Sequence, residues 1–257
     1  LKLALVCALF AACTRSEPPS PAEPKPSPTK THPGVLPAAT RQLVTAIVPD
    51  WNATSAELRL WTREAGGAWQ PSGPSWQGVI GRTGAAWGTG LHGTGAPRGR
   101  TGPAKHEGDG KSPAGVFGLA ASFGYAPAPP PHAGLPYTAV DTSWKCVDDP
   151  ASRHYNQILD ERTVRADWTS AEEMRRSDKL YTWVVEVAHN PARTRGDGSC
   201  IFLHVWGGPA SATVGCTAMA EDRLAALLGS LTPDAAPAFV LLPRAEYDAL
   251  APVWKLP

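Results

Sequence analysis

The sequence predicts a mainly β protein, a meander or sandwich with a few short helices and long Gly/Pro-rich loops. Its 257 residues hold 10 Trp, 25 Gly and 27 Pro. Gly and Pro break a chain into short segments, and Trp suits half-buried pleated surfaces. A hydrophobic content of 42% is enough to bury a core, and no internal repeat is visible, so one domain accounts for the folded part. The 24 basic and 23 acidic residues leave a net charge of +1, which provides no field to gather nucleic acid.

The first residues, "LKLALVCALFAACTRS", place a Lys before an apolar run too short to span a bilayer. This is the pattern of a secretory signal, expected over residues 1–12. "LFAAC" (9–13) resembles the lipobox of bacterial lipoproteins, which implies lipidation of Cys13, a membrane contact through that N-terminal anchor, and a periplasmic or cell-envelope location. Stable anchoring by several acyl chains follows from the transfer energy of roughly 0.8 kcal/mol per buried CH2. Residues 16–38 are Pro-rich and nearly free of large apolar side chains. With Cys13 they form an expected tether over 13–40, reaching roughly 70 Å in polyproline II form.

The folded domain is expected over 41–257. "LVTAIV" (43–48), the alternating "ELRLWTR" (57–63) and "WQGVIG" (76–81) are strand signals. Residues 82–115 are dominated by Gly and Pro and predict a long loop. Within it, "GTGLHGTG" (88–95) contains GxGxxG, but no apolar strand precedes it and "APRGRTGPAK" cannot begin a helix. "GDGKSPAG" (108–115) fails as a phosphate loop because Lys105 replaces the first Gly and Pro113 follows Ser112. "TSAEEMRRSD" (169–178) offers a Ser170/Glu173 capping box and predicts a short polar helix. "YTWVVEVA" (181–188) and "CIFLHVW" (200–206) predict paired strands. "AEDRLAALLGSL" (220–231) has Leu224, Leu227, Leu228 and Leu231 at helical spacing, and "AFVLLP" (238–243) is a final strand.

Of the five cysteines, Cys7 leaves with the signal and Cys13 is the lipidation candidate. Cys146, Cys200 and Cys216 remain, an odd number in an oxidising compartment, so one thiol stays free whichever of three pairings forms. "HVWGGPASATVGCTAM" (204–219) predicts a hairpin-like loop that brings His204 to Cys216, with Cys216 just ahead of a helix start. A helix dipole and a neighbouring imidazole favour a thiolate nucleophile, and Gly215 lets backbone amides serve as oxyanion donors. Cys216 as buried filler or a bridge partner competes with this reading. Zinc on Cys200, His204 and Cys216 is disfavoured because residues four apart in a strand are about 13 Å apart.

Two of these segments together resemble the L,D-transpeptidase catalytic domain of the YkuD-like superfamily: "CIFLHVWGGPASATVGCTAM" and, upstream, "EGDGKSPAGVFGL". The likeness spans roughly residues 41–243. It implies a YkuD-like β-sandwich with Cys216 as nucleophile, His204 as general base, and the backbone at Gly215 and Cys216 in the oxyanion hole. Thr213 holds the Ser/Thr position of the signature. Tyr155, Asn156 and Trp206 are further candidates for substrate contact. Val214 stands where the family has a second His, Ala218 where an Arg often sits, and the His-to-Cys interval is shortened. "CVDDP" (146–150) and "GSCIFLH" (198–204) match a short-loop branch of that family, which implies a Cys146–Cys200 bridge and a free Cys216.

The implied reaction is attack of the thiolate on a peptidoglycan stem tetrapeptide, loss of D-Ala, and transfer of the thioester to an amine on another stem or on a wall-anchored protein. No metal or organic cofactor is called for. Two alternatives are hydrolysis of the same thioester, as a carboxypeptidase or endopeptidase, and a wall-binding lipoprotein without catalysis.

Overall fold

The alternation in "SAELRLWT" puts Ala56, Leu58 and Leu60 on one face, and all three are buried. "AFVLLP" instead is a continuous apolar run, the pattern of a strand covered on both sides, and every residue of it is buried. In the computed structural model, which describes residues 35–257, these two patterns belong to opposite kinds of wall in one closed sheet. The signal-like stretch, Cys13 and most of the tether lie outside the described residues.

Eight strands form the ring: β1 (Gln42–Val48), β2 (Ser55–Thr62), β3 (Trp76–Val79), β4 (Ser112–Gly124), β5 (Val184–Val187), β6 (Phe202–Val205), β7 (Thr217–Met219) and β8 (Ala238–Pro243). Neighbours run β1, β8, β4, β5, β6, β7, β3, β2, and pairing of β2 with β1 closes the circuit. The class is mainly β, and the sheet closes as a barrel, which removes its free edges. The β1–β8 and β6–β7 pairs are parallel and the others around the ring antiparallel. Helix α1 (Glu221–Ser230) buries Leu224, Leu227 and Leu228. Helix α2 (Arg244–Trp254) buries Tyr247, Leu250 and Trp254 in the same apolar cluster as β1 and β8, which is why β8 carries no polar face.

Three expectations are corrected. Residues 82–115 are not a long loop. Ala85–Trp87 pairs in parallel with the start of β4, Thr89–Gly90 and Gly93–Thr94 form a hairpin, and β4 itself begins at Ser112. Several glycines that read as breakers, Gly84, Gly88, Gly90, Gly102 and Gly115, are close-packing positions. A Cβ on Gly115 (φ +137°) would sit 2.0 Å from the His92 ring, while His92 Nδ1 accepts from the Val116 amide at 3.1 Å.

The predicted helix over 169–178 is absent. Asp149 takes the Thr169 amide at 2.7 Å and its hydroxyl at 2.8 Å, and Glu172–Glu173 pairs with Lys145–Cys146. A tertiary strand pairing and the Lys145–Glu173 ion pair at 2.6 Å outweigh a local capping box. Finally, 204–216 is not a hairpin, since β6 and β7 run parallel with His204 opposite Ala218.

A second, smaller sheet lies beyond the ring: Trp144–Cys146 between Ile158–Asp160 and Glu172–Glu173. The Cys146–Cys200 disulfide ties it to the residues entering β6. Between them is a second apolar cluster holding Cys146, Met174, Tyr181, Val184, Cys200, Phe202 and Cys216.

Candidate active site

Strand alternation places the candidate chemistry. Leu203 and Val205 of β6 face the barrel core, while Phe202 belongs to the outer cluster and His204 alternates with it on the same face. The Tyr181 ring meets both, at 5.6 Å from Phe202 and 5.2 Å from His204. Cys216 precedes β7, two residues before Ala218, the register partner of His204. The outer face of two parallel strands therefore carries both groups. β7 separates Cys216 from α1, so the helix dipole expected to act on the thiol is removed from it: α1 starts only at Glu221.

Among the described residues Cys216 is the free cysteine, and it is 2% exposed. Its sulfur accepts from the Phe202 amide at 3.3 Å and lies 3.5 Å from the Cys200 carbonyl. Burial, aided by the negative charge of Glu172, holds the thiol well above its ordinary range, and hydrogen bonding by Phe202 and Tyr181 pulls the other way. The Cys216 carbonyl is pinned by two hydroxyls, Ser112 at 2.8 Å and Thr213 at 2.6 Å. Gly215 adopts φ +155°, and its amide donates to Thr213 Oγ1 at 3.1 Å. That amide is thus engaged within the turn rather than turned to an oxyanion.

His204 is 6% exposed, and burial lowers its pKa to about 4. Its Nδ1 lies 2.7 Å from the Val205 carbonyl. A carbonyl only accepts, so Nδ1 carries the proton and Nε2 of the neutral ring is the base. No hydrogen bond joins His204 to Cys216 among the described residues. The Val205 carbonyl orients the imidazole as the carboxylate does in a triad, a role for backbone that no side-chain motif can reveal.

A cavity of about 220 Å³ opens against Gly215 and Cys216. Its walls mix charge: Arg82 and Lys105 against Glu107, Asp148 and Glu172. Lys105 is paired with Asp109 at 2.6 Å. Glu107 accepts from Tyr155 at 2.5 Å and Ser199 at 2.6 Å. Asp148 Oδ1 is buried without a partner, and Glu172 accepts from the Tyr181 hydroxyl at 2.7 Å. Burial raises the Glu172 pKa to about 7.

The remaining predicted residues divide. Thr213 supports Cys216 as described, and Val214 is 60% exposed at the cavity. Tyr155 is 2% exposed and serves Glu107 and the Gly198 amide. Asn156 donates to the His189 and Asn190 carbonyls and accepts from the Cys200 amide. Both hold the wall of the cavity from behind. Trp206 is half-buried after β6, its amide bonded to Met219. Glu107, Asp148, Glu172, Tyr181 and Arg82 went unremarked in the sequence because they come from separate segments with no common spacing. No family model, no curated protein and no solved structure matches this chain.

Proposed function

We propose that the protein is a cysteine-dependent acyltransferase with a YkuD-like fold, an L,D-transpeptidase acting on peptidoglycan stem peptides, carried on the envelope side of a membrane by a lipidated Cys13. The observation that supports this best is a free thiol, Cys216, on the same strand face as a neutral imidazole with Nδ1 committed to backbone, beside a cavity of mixed charge. Cys216 attacks the acyl carbon after His204 Nε2 takes its proton. The amine leaves, and an incoming amine resolves the thioester. Substrate binding brings the imidazole and thiol together, as catalytic hydrogen bonds often tighten only in the complex. Arg82, exposed and lining the cavity, supplies a cation for a substrate carboxylate where Ala218 replaces the family's Arg.

The test is intact-mass measurement of the folded chain with a carbapenem. Wild type gains one adduct, located on Cys216 by peptide mapping, and Cys216→Ala gains none. A folded wild type that stays unmodified sinks the proposal. Incubation with muropeptides then separates transfer, which gives cross-linked products, from hydrolysis, which gives only shortened stems.

A further inference from the structure

An acyl transfer at an amide needs a base for the thiol and an acid for the departing amine. His204 suits the first task. It does not line the cavity where an amide would lie, whereas Glu172 does, together with Cys216. Glu172 Oε2 accepts from the Tyr181 hydroxyl at 2.7 Å, which leaves Oε1 for a proton. Tyr181 in turn packs edge-on against His204 at 5.2 Å, so one aromatic side chain sets the positions of both titrating groups. Resting on Cys216 as the acylated group, we propose that Glu172 is a catalytic general acid–base that serves the leaving and entering amines, with Tyr181 as its positioning residue.

The proton inventory closes. His204 Nε2 takes the Cys216 proton, the sulfur electron pair forms the C–S bond, and the carbonyl π pair moves to oxygen. On collapse the C–N bond breaks with its pair on nitrogen, which takes the Glu172 proton. The acceptor, amine or water, attacks the thioester and yields a proton to the Glu172 carboxylate. The departing thiolate recovers its proton from the His204 imidazolium. Opposed environments support this division: burial drives the imidazole toward its basic form and the carboxyl toward its acidic form. The groups facing Glu172 are Tyr181, Asp148, Arg176, Glu107 and Cys216, with Lys105 and Arg82 elsewhere on the cavity wall. Burial, with the two acids adding to it, holds its pKa up against the pull of Tyr181 and Arg176.

The experiment compares two acyl donors on the full chain: a stem-like peptide amide, and an aryl thioester of the same acyl group, whose leaving group needs no proton. In single-turnover acylation of Cys216, read by intact mass before any acceptor is added, Glu172→Gln should slow reaction with the amide about 100-fold, the usual worth of a positioned acid, and change reaction with the thioester less than about 3-fold, because a good leaving group needs no acid. Wild type on the amide should lose rate above about pH 7, a limb absent in Glu172→Gln. Tyr181→Phe removes a donor that stabilises the carboxylate, so it should move the limb to higher pH. Equal losses on both donors, or a limb unmoved in both variants, would overturn the assignment of Glu172. Wild type inert to the thioester and to a carbapenem alike would instead overturn the reading of Cys216 itself.

Discussion

The two faces of β6 hold four consecutive residues to opposite standards. Inward, Leu203 and Val205 join an apolar cluster that spans every other wall of the barrel. Outward, Phe202 and His204 meet Tyr181, which donates to Glu172, and the Phe202 amide meets a free thiol, beside a three-stranded sheet. The inward face gains from every atom removed from water. The outward face buries titratable groups, a cost that is tolerable because each has a partner: Val205 for His204, Tyr181 for Glu172, Phe202 for Cys216. One strand thus carries apolar stability on one side and the proposed chemistry on the other, and the disulfide secures the second side where apolar area is limited.

The largest expected effect tests the outer face alone. His204→Asn should lower the rate of Cys216 acylation by about 10²- to 10⁴-fold, the usual contribution of a general base. The thermal unfolding midpoint at pH 7.5 should stay within a few degrees, because β6 keeps its inward residues. Acylation unaffected by this change would remove His204 from the mechanism.

Next comes the inner face. Phe239 in β8 is 1% exposed and lies 6.5 Å from Phe117. Phe239→Ala should cost about 3–5 kcal/mol by urea titration, through lost transfer energy and the cavity left behind. The fraction that remains folded should acylate at the wild-type rate. A slowed folded fraction would show that the two faces are not independent.

The disulfide separates local from global opening. Cys146→Ser with Cys200→Ser should lower stability by about 2–4 kcal/mol. It should also quicken native-state alkylation of Cys216, because Cys200 lines the cavity and its carbonyl lies 3.5 Å from the thiol. Phe239→Ala, by contrast, should expose Cys216 only in step with global unfolding. Hydrogen exchange on the two variants distinguishes these outcomes.

The smallest effect is with pH. Burial lowers His92, His189 and His204 from 6.5 to about 4. Between those values the unfolded chain binds more protons, so stability is full above pH 6.5 and falls as pH drops toward 4. Glu172, raised from 4.5 to about 7, acts in the opposite sense, its contribution lost as pH rises between those values. Burial raises Glu186 as well, in the same sense as Glu172, so three histidines against two glutamates predict a midpoint that declines from pH 7 to pH 4.5 in calorimetry. His204→Asn removes one of the three histidines and should make the slope shallower. A flat profile would contradict the buried, neutral state of all three.

Local patterning was informative where a segment's environment is decided by its own residues. β1, β2, β8 and α1 were legible from alternation, from an unbroken apolar run and from leucines at helical spacing. α2 was readable too, since Tyr247, Leu250 and Trp254 share a face, but Pro252 obscured it. β4 was hidden by Pro113 and Gly115, residues that read as breakers until Gly88 is seen packed against the first and His92 against the second.

By itself the sequence determined the mainly β class, the odd thiol and the pairing of β5 with β6, because composition, parity and period are properties of the chain alone. Only the tertiary structure decided that β6 and β7 are parallel, that Cys216 is remote from a helix terminus, and that Glu172, held by Tyr181, lines one cavity with the thiol. Those residues lie in segments that meet only because the barrel closes and the disulfide draws the small sheet against it. Non-local strand pairing and burial are set by the whole fold, and no spacing along the chain records them.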